Sequence, residues 1–115
     1  MDGESNFKGD DISMKVAYIA GPYRGKTHYE IEQNIRAAEA VAIKYWKLGY
    51  AVICPHKNTA HFDGLATDDI WLEGDLELLR RSDVIVMMPN WAFSDGARTE
   101  YSEAMDFGKE IIYEK

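Results

Sequence analysis

Apolar residues fall into two kinds of run along this chain. The first, Lys15-Val16-Ala17-Tyr18-Ile19-Ala20, is nearly continuous, as in a central strand buried on both faces of a parallel sheet, and it stops at Gly21-Pro22. A loop carrying two glycines, an arginine and a lysine follows, Gly21 to Thr27. In the next stretch Ile31, Ile35, Ala38, Val41, Ala42 and Tyr45 recur at steps of three and four, which is the stripe of an amphipathic helix. Thr27 with Glu30 has capping-box form, and Gly49 stands where a helix would hand over to a turn.

The pattern then repeats. Tyr50 to Cys54 predicts a second strand, stopped by Pro55. Residues 56–66 have weak periodicity and read as a surface loop, of a length that often carries function. Thr67-Asp68-Asp69 predicts the start of a second helix, which carries Ile70, Trp71, Leu72, Asp75, Leu76, Leu78 and Leu79 and ends near Ser82. Val84 to Met88 predicts a third strand. Beyond the loop Pro89 to Gly96 comes a third helix with Tyr101, Ala104, Met105 and Phe107 facing inward, and Glu110 to Tyr113 predicts a last strand. Strands separated by helices imply parallel pairing with right-handed crossovers. The expectation is a single three-layer α/β domain over residues 14–115, flavodoxin- or Rossmann-like, with four or five parallel strands in the order 2-1-3-4. Residues 1–13, polar and acidic, read as a disordered N-terminal extension. That strand order sets the ends of the first and third strands side by side, where the loops 21–27 and 89–96 open a crevice.

Composition narrows the partners. The 115 residues carry a formal net charge of −7, which argues against a nucleic-acid polymer or an anionic membrane surface as the main partner. The one cysteine, Cys54, lies in an apolar run and reads as a small core residue. No apolar stretch reaches the roughly 20 residues of a membrane span, and the N-terminus has no apolar signal-peptide core, so the expected location is cytoplasmic.

Candidate chemistry gathers at the predicted crevice. Glu100, in a first helical turn after Ser94 and Gly96, suits a carboxylate nucleophile, as in retaining glycosidases; it equally suits simple complementarity to the helix dipole. Asp75 sits in an apolar stripe, where it reads either as a general acid of raised pKa or as a solvated residue on a slightly rotated helix. Tyr18 could orient Glu100 or simply pack in its strand. Arg24, with backbone N–H groups around Gly21 and Gly25 and the Ser94 hydroxyl opposite, could hold a phosphate. Arg98 offers a second anion contact, an ion pair with Glu103, or a charge holding Glu100 ionised. Trp91 and Phe93 could stack on a flat base or pack against another subunit.

Three segments resemble the nucleoside 2-deoxyribosyltransferase superfamily, in particular its branch of 2′-deoxynucleoside 5′-monophosphate N-glycosidases. They are Tyr18 to Gly25, Asp75 to Val86, and Ser94-x-Gly96-x-x-x-Glu100, in the family's order. The resemblance implies that Glu100 attacks C1′ of deoxyribose, that Asp75 assists departure of the base and that Tyr18 positions the nucleophile. It also implies that Gly21, Arg24, Gly25 and Ser94 hold a 5′-phosphate, with no metal or organic cofactor, in a homodimer or larger homo-oligomer. Pro22 stands where that branch commonly has serine, and Gly-Pro-Tyr also occurs in the transferase branch. The implied activity is cleavage of the N-glycosidic bond of a 2′-deoxynucleoside or its 5′-monophosphate, by hydrolysis or transfer. The alternative is a non-catalytic binder of a nucleotide or nucleotide-derived signal on the same fold.

Overall fold

The computed structural model describes residues 13–115. The expected extension, residues 1–13, lies outside that range except for its last residue. The elements run β1 (Val16–Ala20), α1 (His28–Lys47), β2 (Ala51–Ile53), α2 (Pro55–Asn58), α3 (Asp68–Arg80), β3 (Val84–Met87), a 3-10 turn (Trp91–Phe93), α4 (Asp95–Asp106) and β4 (Glu110–Tyr113). The four strands pair in parallel in the order β2-β1-β3-β4, as the sequence predicts. β1 aligns Ala20 with Met87 of β3, so the strand ends that bound the crevice lie side by side.

Alternation along the central strands divides the core. Ala17, Ile19, Val84 and Val86 face α1, where they meet Ala38, Ala42 and Tyr45. Tyr18, Ala20, Ile85 and Met87 face the other way, onto Leu76 and Leu79 of α3 and Ala104 of α4. Both faces are therefore covered, which is why β1 and β3 read as unbroken apolar runs. Where β1 ends, the chain passes so close to β3 that a Cβ on Gly21 would lie 2.7 Å from Met88 Cβ and 2.5 Å from its sulfur. Glycine is the residue that permits this approach.

Three expectations need correction. Residues 55–58 form the short helix α2 rather than a loop, with Pro55 at its first position and both Pro55 and His56 buried. Met105 and Phe107 do not face inward but are 56% and 55% exposed. The inner face of α4 is set by Ala97, Glu100 and Ala104, and one residue beyond Ala104 the helix has turned about 100° away. Ile70, counted in the α3 stripe, is 54% exposed, because only Leu76 and Leu79 of that helix are fully buried.

Candidate active site

A cavity of about 640 Å³ opens at the carboxyl ends of β1, β2 and β3, large enough for a nucleoside. Its walls come from the loop after β1, from α2, from the amino-terminal half of α3 and from the start of α4. Glu100 is placed there because Ser94 caps α4, its hydroxyl accepting the Ala97 N–H at 3.2 Å. Two turns of helix then carry Glu100 down against the sheet, where it is 8% exposed. Directly beneath it the Tyr18 hydroxyl, itself fully buried, donates to Glu100 Oε2 at 2.5 Å. This bond, charge-assisted when Glu100 is ionised, joins residues 82 positions apart in the chain and is made possible by the alternation that turns Tyr18 toward α4.

Asp75 of α3 lines the same cavity. Desolvation raises its pKa to about 6. Burial drives Glu100 further, to about 8; the Tyr18 hydrogen bond opposes the shift and the charge of Asp75 adds to it. Burial, together with the neighbouring Glu100 and Asp75, holds the Tyr18 phenol well above its usual pKa, so it stays a donor. The tyrosine and the two acids thus form one coupled unit. Between about pH 6 and about pH 8 the acid pair shares a single proton, whose position belongs to the pair rather than to either residue.

The loop after β1 is fixed from α1. Asn34 Nδ2 donates to the carbonyls of Tyr23 and Arg24 at 3.0 and 3.2 Å, and Glu30 Oε1 accepts the Lys26 N–H at 2.6 Å. Gly21 and Arg24 line the cavity; Gly25 does not, and packs instead on Glu30. Arg24 Nη2 pairs with Asp68 Oδ2 at 2.5 Å and Nη1 lies 3.9 Å from Asp63 Oδ2. Ser94 and Gly96 line the opposite wall.

Besides Gly25, two more candidates lie off the cavity wall. Arg98 pairs with Asp95 and donates to the Ala92 carbonyl at 2.8 Å, while Glu103, its alternative partner, is taken by Arg80 at 2.5 Å. Trp91 stacks on Tyr101 with ring centroids 4.5 Å apart and packs against the core on the α4 side. Phe93 does stand at the cavity wall, 86% exposed.

Other lining residues went unselected in the sequence. His56, 5% exposed, has Nε2 2.8 Å from the Pro22 carbonyl and an Nδ1 without a partner. Since a carbonyl only accepts, Nε2 carries the proton and Nδ1 is left as an acceptor. Burial lowers the His56 pKa and keeps the ring neutral. Trp71, packed against Phe62, also leaves its indole N–H unpaired. The signal for this wall was Pro55 itself: a segment following a strand's carboxyl end lies at the crevice whatever its own periodicity. Among the described residues no group of three or more His, Cys, Asp or Glu side chains is arranged to hold a metal ion, and no helix is long and apolar enough to cross a membrane.

A protein-family profile described as a domain of unknown function (DUF4406) matches residues 14–113. No curated protein matches the sequence. Among solved structures, the 2-deoxyribosyltransferase of the psychrotolerant bacterium Bacillus psychrosaccharolyticus superposes with a TM-score of 0.62 at 20% identity, over 85% of this chain and 70% of that one. BlsM, solved in solution, superposes with a TM-score of 0.67 at 23% identity, over 87% of this chain. This chain spans 64% of BlsM. At these identities the likeness is one of fold.

Proposed function

The chain belongs to the DUF4406 family, and we propose that this member breaks the N-glycosidic bond of a 2′-deoxynucleoside or its 5′-monophosphate through a covalent deoxyribosyl-glutamate. The observation that carries the reading is the buried 2.5 Å hydrogen bond from Tyr18 to Glu100 on the floor of the cavity, with Asp75 on the adjoining wall. α4 begins at Asp95, so Glu100 lies beyond the first turn expected for it from the sequence, and complementarity to the helix dipole does not account for it; it is buried at a raised pKa, a combination concentrated at functional sites. The deoxyribosyltransferase of the same fold supports the same class of substrate.

The reaction follows from the groups present. An oxygen of ionised Glu100 forms a bond to C1′ as the bond from C1′ to the base nitrogen breaks. The electron pair of that bond leaves with the base, and protonated Asp75 supplies the proton that makes the base a good leaving group. Tyr18 holds the carboxylate in the attacking direction by donating to its other oxygen. Asp75, now ionised, then accepts the proton of an incoming water, or of a second base, which attacks C1′ and frees Glu100. Between about pH 6 and about pH 8 the pair carries one proton, the number this cycle requires.

Incubating the protein with each 2′-deoxynucleoside and each 5′-monophosphate, with chromatographic detection of free base, tests the proposal. Release should occur with the wild type and fall to background in Glu100→Gln. Absence of release from every substrate, or equal release by the variant, refutes it.

A further inference from the structure

The cation that would greet a phosphate at this site is already engaged. Among the described residues Arg24 is the only lysine or arginine on the cavity wall, and its guanidinium is paired with Asp68 at 2.5 Å and approached by Asp63 at 3.9 Å. Asp63 is held in place from the other side, accepting the Tyr23 hydroxyl at 2.7 Å, a bond that also lowers its pKa and keeps it charged. Pro22 has no N–H to offer, and Ser94, whose hydroxyl oxygen accepts the Ala97 N–H in capping α4, brings only an uncharged O–H. Six carboxyl groups line the cavity, those of Asp63, Asp68, Asp69, Asp75, Asp95 and Glu100. Lining it too is His56, neutral and almost fully buried, whose free Nδ1 can only accept. A phosphate dianion brings further negative charge to a wall dominated by carboxylates. A hydroxyl brings a donor.

We propose that Asp63 and Asp68 occupy Arg24 in place of a ligand phosphate, and so make the site select a 2′-deoxynucleoside with a free 5′-hydroxyl over its 5′-monophosphate. The inference rests on the reading that the cavity takes a deoxynucleoside or deoxynucleotide. It adds two specificity-determining residues, neither of which takes part in bond breaking. A monophosphate could use Arg24 only by breaking its pair with Asp68 and entering beside the other carboxylates. The 5′-hydroxyl leaves the pair intact and can donate to a wall rich in carboxylates.

The test compares dissociation constants of one 2′-deoxynucleoside and its own 5′-monophosphate, by calorimetry, for the wild type and the Asp63→Asn/Asp68→Asn double variant. The wild type should bind the nucleoside at least about tenfold tighter, and the double variant should reduce or reverse that ratio by about tenfold. The wild-type ratio should also narrow as salt is raised, because the repulsion is between partly exposed charges. A melting curve of the variant shows that it is folded; both substitutions keep side-chain shape, and if the variant melts early, the wild-type ratio and its salt dependence decide. A wild type that binds the monophosphate as tightly or more tightly overturns the proposal, as does a folded variant with an unchanged ratio or a wild type that binds neither compound. Following base release in the same samples separates the two readings. The predicted ratio without release removes the glycosidic reaction and leaves the selectivity standing. Release chiefly from the monophosphate removes the selectivity and leaves the reaction standing.

Discussion

Replacing Tyr18 with phenylalanine removes one atom from the centre of the site and separates positioning from bulk. The ring still fills its fully buried place between β1 and α4, so packing is kept. What is lost is the 2.5 Å hydrogen bond to Glu100. Hydrogen bonds to charged groups are worth about 1.5–3 kcal/mol, that is, roughly ten- to a hundredfold in rate or one to two pH units. The sign follows from what the bond does: it favours ionised Glu100 and holds its pKa down, against burial that raises it to about 8. The free acid pair is singly protonated between about pH 6 and about pH 8, so kcat/KM for base release should be bell-shaped with limbs near those values. Within that state the proton favours Glu100. The reactive arrangement, with the proton on Asp75, is the minor one, about one part in a hundred for a difference of about two pH units. Without the Tyr18 hydroxyl Glu100 holds its proton harder. The alkaline limb should move up by about one to two pH units and the maximum should fall by about ten- to a hundredfold. The assay is initial base release by chromatography across roughly pH 5 to 11, in steps of about half a unit. An unmoved alkaline limb together with an undiminished maximum would refute the assigned role of the bond.

Further outcomes follow from the same structure. Asp75→Asn should lower kcat for base release by about 10²–10⁴-fold and flatten the alkaline limb of the profile, because the group that must be protonated to pass the proton is gone while Glu100 must still be ionised; loss of less than about threefold would argue against a general acid there. Both site acids have folded pKa values above their unfolded ones. The stability they contribute is therefore fully present below about pH 4 and is lost as pH rises through about 6 for Asp75 and about 8 for Glu100. The melting temperature should fall over that window, and Glu100→Gln should melt higher than wild type at pH about 8.5, a gain of a few kcal/mol at most; a variant that melts lower there would contradict the buried, raised-pKa carboxyl. Gly21→Ala should destabilise by about 1–3 kcal/mol, since the new Cβ would lie 2.7 Å from Met88 Cβ. Urea unfolding checks this, and an unchanged midpoint would mean the crossing of the loop over β3 is looser than described.

Elements whose burial is uniform were legible in the sequence. β1 and β3 are covered on both faces, so their apolar runs announce central parallel strands, and the alternation with helices sets the sheet order. Tyr18, Asp75 and Glu100 could be singled out because each is polar at a position where the pattern asks for burial or sits at a strand or helix end. Their meeting at one crevice followed from the strand order, but whether Tyr18 orients Glu100 or only packs in its strand stayed open, because nothing local tells which face of β1 meets α4. The partners of Arg24 and Arg98 were equally hidden. A long cation takes whichever carboxylate the fold brings near, which is Asp68 for one and Asp95 for the other. Residues 55–58 escaped because a single helical turn is too short to show a period, although Pro55 marks its start. Met105 and Phe107 misled because an apolar residue near a helix end satisfies a stripe on paper while the helix has already rotated past the core.

The claim that Glu100 becomes covalently glycosylated is tested most directly by mass. The protein is mixed with a 2′-deoxynucleoside that it cleaves, quenched in acid during turnover, and weighed intact, then digested and fragmented to locate any added group. The account predicts a species heavier by one deoxyribosyl group, attached to Glu100, and absent when Glu100→Gln is treated in the same way. An adduct on another residue, or base release that continues in Glu100→Gln, would contradict it.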